Sequence, residues 1–200
     1  MNHEIQSGSN QKKLRCPWCL GFDQYIKYHD EEWGLASFND LTHFEFLILE
    51  SAQAGLSWAT ILKKRDAYRQ AFSQFDPSVV AEYDAHQIQK LMGNKGIVRN
   101  ILKIEAAVNN ARRFLEIQQQ YGSFSDYIWD FVDGQPIVNA WKSMQEIPSN
   151  TFKSNELAKD MKRRGFKFLG STVLYAHMQA TGLINDHLVN CFRYPELTVG

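Results

Sequence analysis

Two short segments at opposite ends of the chain carry the residues that most restrict how it can fold: Cys16 and His29 near the start, His187 and Cys191 near the end. In His187-Leu-Val-Asn-Cys191 a nitrogen and a sulfur donor stand four residues apart, on one face of the segment if it forms a helical turn. Cys16 and His29 could add a second pair and complete the tetrahedral Cys2His2 set that Zn²⁺ prefers. A metal held in this way would tie the two ends of the domain together and remove the closure entropy of nearly the whole chain from the unfolded ensemble. The same spacing also fits a helix with one buried cysteine. Cys16-Pro-Trp-Cys19 offers a second ligand set, Cys16, Cys19, His187 and Cys191, that leaves His29 out. Spacing leaves the choice open. As a redox motif this CxxC would need a βαβ context, and the pattern shows none.

Composition narrows the class. Two hundred residues suit one domain, or two small lobes sharing a core, and the hydrophobic share of 44% fits a globular protein. Basic and acidic side chains number 22 each, so no net field draws in nucleic acid or a membrane, although a local basic patch remains compatible. Three cysteines are too few for a disulfide scaffold and fit a reducing compartment. Residues 1–13 are polar, read as a disordered tail, and lack the apolar core of a signal peptide. No run is long enough to span a membrane, so the chain reads as cytoplasmic with no membrane partner.

Helical periodicity dominates the rest. Leu41, Phe44, Leu47 and Ile48 predict a helix over 39–54, capped by Asn39 or Asp40 and stopped by Gly55. Ser57 opens another, running through Ile61, Leu62 and Tyr68 towards Phe72. Asp76-Pro77 joins a cap to a proline at the first helical position, and Asp84 starts a helix that ends at Gly93. From Ile97 to Gln119 the apolar period stays near 3.6. A short helix over 125–131, a loop-rich stretch over 134–150 and helices over 154–164 and 171–181 follow. Alternating strand patterns are almost absent, so the predicted fold is all-α. His3, His43, His86 and His177 stand in no partner pattern and read as incidental.

Between the last two helices lies Arg164-Gly-Phe-Lys-Phe-Leu-Gly170, a glycine-bracketed turn. Lys159, Lys162, Arg163, Arg164 and Lys167 surround it, opposed only by Asp160. Such a helix, hairpin and helix could grip the phosphates of one DNA strand through backbone amides at Gly165 and Gly170 and through Lys167. An ordinary loop beside a solvated helix face fits the same residues.

The densest chemistry runs from Tyr25 to Trp58. Glu50 stands in an apolar stretch, Phe46 to Leu49, where a carboxylate is costly unless it is paired or used. Tyr28, Trp33 and Trp58 taken singly are plain core residues. Together with one acceptor they form a slot for a flat polar or cationic ring.

Several strings now resemble the 3-methyladenine DNA glycosylase I family: Arg15-Cys16-Pro-Trp18, Tyr28-His-Asp-Glu-Glu-Trp-Gly34, Glu50-Ser-Ala-Gln53-Ala-Gly-Leu-Ser-Trp58, Ile97-Val-Arg99 with Lys103-Ile104 and Asn110-Ala111, Arg164-Gly-Phe-Lys-Phe168, and Asn185-Asp-His187 with Cys191. The likeness covers about residues 14–195, in order. It implies an all-α helix-hairpin-helix DNA glycosylase fold with a structural Zn²⁺ joining the N- and C-terminal regions. Residues 14–200 would form one domain of two helical lobes, with the hairpin at about 164–172. The implied zinc ligands are Cys16, His29, His187 and Cys191, with Cys19 a spare thiol. Glu50 corresponds to the active-site carboxylate, Trp58 to the ring stacked on the base, and Tyr28 to a hydrogen-bonding pocket residue. Tyr25 and Trp33 correspond to pocket-lining aromatics. Gln53, Gly55 and Leu56 match the element that probes the gap left by an extruded nucleotide. The implied enzyme acts as a monomer on double-stranded alkylated DNA and releases free 3-methyladenine without cutting the strand. Ser51-Ala52 departs from the family pattern, and the hairpin lacks the short Gly-x-Gly of many relatives.

Two rivals use the same residues. A zinc-stabilised DNA-binding module without catalysis leaves Glu50, Trp58 and Tyr28 without a role. A metallohydrolase built on His29, Asp30, Asp186 and His187 requires an exchangeable metal.

Overall fold

The computed structural model describes residues 13–53 and 55–198. The tail expected over 1–13 falls, Lys13 excepted, outside them. Helices dominate: α1 Asp23–Glu31, α2 Asp40–Gln53, α3 Trp58–Leu62, α4 Arg65–Ala71, α5 Pro77–Ala81, α6 Ala85–Gly93, α7 Ile101–Tyr121, α8 Phe124–Asp130, α9 Phe152–Arg163, α10 Ser171–Ala180 and α11 Arg193–Glu196. The one departure from the all-helical expectation is a parallel pair of two-residue strands, β1 Ile137–Val138 and β2 Ile184–Asn185. Among the described residues no helix is long and apolar enough to cross a membrane.

Local capping chemistry sets most helix starts. Asn39 Oδ1 accepts from the Thr42 amide at 3.1 Å, so Asn39 rather than Asp40 caps α2. Asp40 serves a neighbour instead: its carboxylate receives the Phe124 and Ser125 amides at the head of α8 and the Gln118 side chain of α7. Asp76, Asp84, Asn100 and Ser123 cap α5, α6, α7 and α8 through their side chains.

Tertiary contacts override the local pattern in two places. The helix expected from Ser57 to Phe72 breaks at Lys63-Lys64. Beside the break, Gln24 takes the Leu62 carbonyl and Arg65 is held by Glu32 and Glu45. The apolar run from Ile97 becomes helical only at Ile101. Ile97 is buried from a non-helical segment, and the Val98 amide donates to the Tyr68 hydroxyl at 3.0 Å.

Helix α2 is the central element. Every residue from His43 to Ala52 is buried, as in a helix apolar all round. It packs against α10 on one side and α7 and α8 on another, around Phe44, Leu47, Ile48, Phe114, Phe124 and Leu174. His43 and His177 are not incidental: both are fully buried, and His43 Nδ1 lies 3.2 Å from His177 Nε2, linking α2 to α10.

Gly182 ends α10 in the left-handed region, at φ +74°. A Cβ there would lie 2.3 Å from the Ala36 amide nitrogen, against backbone that cannot swing aside. Gly182→Ala is expected to cost on the order of 3 kcal/mol in chemical denaturation. A loss well under about 1 kcal/mol would show that the 35–36 segment yields.

Candidate active site and metal centre

Cys16 precedes a 3₁₀ turn, Pro17–Cys19, His29 lies on α1, and His187 and Cys191 follow β2. The structure brings these four together, fully or almost fully buried, with their donor atoms all within 4.8 Å of one another. Cys16 Sγ lies 3.7 Å from His187 Nδ1, and Cys191 Sγ lies 3.5 Å from His187 Nδ1 and 3.4 Å from His29 Nε2. Ideal Zn–S and Zn–N bonds at a tetrahedral centre give a sulfur–nitrogen edge of about 3.5 Å. Three of the sulfur–nitrogen edges are thus close to that value, and the donor set has the chemistry and proximity to hold a metal ion. Each histidine is also fixed from behind. His29 Nδ1 donates to Asp30 Oδ1 at 2.8 Å, and His187 Nε2 donates to the Trp33 carbonyl at 3.0 Å. This turns the lone pair of each ring's other nitrogen into the cluster, where that of His29 also meets the Cys16 amide at 3.4 Å.

The thiol chemistry agrees. The hydrogen bond between the cysteines, with burial, pushes Cys16 far above the ordinary thiol range, and the same bond pulls Cys191 far down. Two thiols this close share one negative charge unless a cation joins them. Cys19 turns away, donating its Sγ–H to the Cys16 carbonyl at 3.2 Å, and burial raises its thiol to about 11. The Cys3His alternative is not assembled, and neither Asp30 nor Asp186 belongs to the group. One local expectation fails: residues 187–191 form a non-helical turn, closed by the Cys191 amide on the Leu188 carbonyl at 2.8 Å.

Beside this centre lies a cavity of about 300 Å³. All five predicted pocket residues line it, Tyr25 and Tyr28 from α1, Trp33 just beyond, Glu50 from α2 and Trp58 from α3, together with Gln53. Tyr28 and Trp58 have ring centroids 5.5 Å apart. Trp18 sits 5.1 Å from Tyr25 and 5.0 Å from Trp33. The Cys2His2 cluster props this wall, since Trp33 packs on His187 at 4.5 Å and Trp18 on His29 at 5.3 Å.

Glu50 is 4% exposed, and among the described residues no donor hydrogen-bonds its carboxyl. Burial alone raises its pKa to about 8. In the free protein at neutral pH the group is therefore mostly protonated, because desolvation outweighs every charge around it. Burial also raises Tyr28 and Tyr25, with Glu50 adding to both shifts. The chemistry on offer is an aromatic slot with one hydrogen-bonding acid that a cationic ring would ionise.

Sequence reasoning gave Trp18 no task and missed Thr172, Tyr175 and Gln179, which also line the cavity. Their spacing of three and then four residues marks one face of α10, which is the signal that could have found them. Met144, Ile147, Pro148 and Ser149 supply further lining from a loop without periodicity, which carried no such signal.

The predicted DNA-contacting residues fall in two places. Gly55, at φ +85°, and Leu56, 43% exposed, follow Gln53 at the end of α2. In the α9–α10 hairpin Gly165 is left-handed at φ +89°, and Gly170 is the exposed residue that precedes α10. Lys167 is exposed, but its backbone is taken: Asn110 accepts from its amide at 2.8 Å and donates to its carbonyl at 2.9 Å. The expected basic cluster also shrinks. Arg163 and Arg164 both pair with Asp160, and Arg164 further bonds Gln120 and lies over the Tyr127 ring.

The family model described as methyladenine glycosylase matches residues 18–194, and the chain belongs to that family. Over 181 residues it is 46% identical to DNA-3-methyladenine glycosylase 1 of Escherichia coli (strain K12), covering 90% of this chain and 97% of the relative. A crystal structure of 3-methyladenine DNA glycosylase I matches with a TM-score of 0.89 at 47% identity, covering 91% of this chain and all of that one. The Staphylococcus aureus 3-methyladenine DNA glycosylase I, in a structure described as the structural basis of 3-methyladenine recognition, matches at 0.87 with 39% identity, covering 90% and 96%.

The raised pKa of Glu50 fixes a sign. A group whose folded pKa of about 8 lies above its ordinary 4.5 contributes fully below pH 4.5 and loses that contribution as pH climbs through 8. Glu50→Gln removes the loss. Its melting temperature relative to wild type should therefore rise between about pH 5 and about pH 9. A gap that stays constant over that range would mean the carboxyl is solvated.

Proposed function

We propose that this protein is a monofunctional DNA glycosylase that extrudes alkylated adenine from double-stranded DNA and hydrolytically releases 3-methyladenine. The observation that carries the reading is Glu50, a buried carboxyl without a donor, facing a slot walled by Trp58, Tyr28, Tyr25 and Trp33. Family membership and the names of the close relatives support the same reading.

The substrate brings much of its own activation. Methylation at N3 leaves the purine cationic while it is bonded to the sugar, which weakens the glycosidic bond. When that bond breaks, its electron pair neutralises the purine, water adds to the sugar carbon, and the water proton passes to solvent. No strong acid and no lysine nucleophile is required. The protein has to unstack the nucleotide, at a cost of a few kcal/mol that is smallest for a lesion, and hold the cation.

Glu50 and Trp58 divide that second task. As the cationic ring enters, its charge lowers the pKa of Glu50, which ionises and accepts hydrogen bonds from the adenine edge. Guanine presents an oxygen acceptor there instead and is refused. The Trp58 face adds about 1–2 kcal/mol of cation–π attraction in the desolvated slot. Tyr28 hydrogen-bonds within the pocket, and Tyr25 and Trp33 close it. Gln53, Gly55 and Leu56 fill the vacated stack, and the helix-hairpin-helix from α9 to α10 holds phosphates through the Lys167 ammonium and the backbone at Gly165 and Gly170.

Cys16, His29, His187 and Cys191 would hold Zn²⁺. With all four positions filled by protein the ion supplies folding stability and no chemistry. These residues carry their geometry to the pocket through Trp18 and Trp33.

Two measurements test the reading. Methylated duplex DNA should yield free 3-methyladenine, with kcat/KM rising through the free-protein pKa of Glu50, about 8. Glu50→Gln should lower kcat/KM roughly 10- to 100-fold and abolish that rise. No release by wild type would end the proposal. Metal analysis should find about one zinc per chain, and His187→Ala should lose it together with several degrees of melting temperature. Full stability without metal, joined to lost activity, would instead favour a catalytic ion.

A further inference from the structure

One buried carboxylate is left unused by both base contact and the metal centre. Asp186 is fully buried, next in sequence to His187, and accepts four hydrogen bonds. Asn139 Nδ2 and Trp141 Nε1 each donate to Oδ1 at 2.7 Å. Gln179 Nε2 donates to Oδ2 at 2.7 Å, and the Tyr175 hydroxyl donates to the same oxygen. These donors fill the lone-pair sites of a carboxylate, and none of them carries a charge.

The four donors come from two separate parts of the cavity wall. Tyr175 and Gln179 lie on α10 and line the cavity themselves. Asn139 and Trp141 belong to the segment after β1, which leads directly into Met144, Ile147, Pro148 and Ser149, residues that line the cavity further on. That segment has little regular structure of its own. Its backbone runs beside β2 and the residues that follow it, with the Asn139 amide on the Asn185 carbonyl at 3.1 Å and the Val189 amide on the Trp141 carbonyl at 2.9 Å. Among the described residues the side-chain hydrogen bonds that join this segment to α10 all meet at the Asp186 carboxylate.

We propose that Asp186 is a positioning residue: it holds the 139–149 segment and α10 at the spacing that fits a flat purine, and so sets how tightly the extruded base is held against Glu50 and Trp58. This rests on the proposed glycosylase function and adds the group that gauges the pocket. The physical basis is that a buried acceptor losing one of its donors is left under-satisfied, so the network relaxes as a unit and the wall shifts with it. Small misplacement of a reacting group is costly in rate.

The test uses the full chain with its metal and the variants Asn139→Ala, Trp141→Phe and Asp186→Asn. Asn139 and Trp141 lie outside the cavity lining, so their effect has to travel through Asp186. Calorimetry with free 3-methyladenine should show affinity falling about fivefold in each single variant of the donor pair. On methylated duplex kcat should fall by a similar factor while KM moves less than about twofold, because phosphate contacts are elsewhere. In a double-mutant cycle, either donor change added to Asp186→Asn should alter base affinity by less than about twofold. If Asp186→Asn does not fold, Asn139→Ala combined with Trp141→Phe serves the same purpose, with a combined loss smaller than the product. Lower melting temperatures with base affinity and kcat unchanged would overturn the proposal, as would losses that simply multiply. Failure of wild type to bind or release 3-methyladenine would count against the glycosylase reading, not against this network.

Discussion

A carboxyl group has been carried into the last turn of a buried helix, where among the described residues nothing donates to it. Glu50 sits on α2 where each neighbour from His43 to Ala52 is buried. Burying an unpaired carboxylate costs far more than burying its neutral acid, so the free protein keeps the proton, and the pKa moves to about 8. The remaining cost is small enough for the rest of α2 to bear through the packing of Phe44, Leu47 and Ile48. A positively charged ring reverses this balance, because ionisation then yields an ion pair inside a water-poor slot. Selection for damaged adenine is in this view a property of protonation: the site is built neutral, and the lesion's own charge completes it.

The proposed function needs slot walls that hold their place, and two of these walls lean on the Cys2His2 cluster. Trp33 contributes its carbonyl to His187 and its ring to the same imidazole, while Trp18 leans on His29. An ion at this centre would bridge residues 16 and 191, a closure worth on the order of 5 kcal/mol in a chain of this length. It would also fix both aromatic side chains through the histidine orientations. Stability and recognition thus share residues without sharing chemistry. Asp30, held by both His29 and Arg15 through 2.7–3.0 Å contacts, is the outer support of the same assembly.

What the sequence made legible was what depends on neighbours along the chain. Caps at Asp76, Asp84 and Ser57 and the left-handed turn glycines act locally, and they stand where the pattern put them. The ligand set and the pocket aromatics were legible through family likeness, since spacing alone could not choose between His29 and Cys19. The structure decides that by a thiol turned onto the Cys16 carbonyl. The rest depends on partners distant in sequence. Nothing near residue 63 announces that Gln24, Glu32 and Glu45 meet at a helix break there, and nothing near 164 announces Gln120, whereas Asp160, at helical spacing from both arginines, was in view. Asp186 looked like a candidate ligand because it adjoins one. Its four donors come from residues 139, 141, 175 and 179, a convergence visible only in three dimensions.

The charge distribution follows the same logic. With Arg163 and Arg164 committed to Asp160, the hairpin offers exposed lysines such as Lys162 and Lys167 and the head of α10 rather than a broad basic face. Few phosphate contacts mean modest non-specific affinity and few released counterions. Under the proposed function such a surface would let the protein leave undamaged DNA easily. On the same proposal discrimination would then fall on the extruded base, where an aromatic slot would accept any flat ring but only a cationic one would draw the proton from Glu50. Weak general binding and a charge-triggered pocket are therefore two parts of one arrangement, and zero net charge is compatible with acting on DNA because the decisive electrostatics are buried.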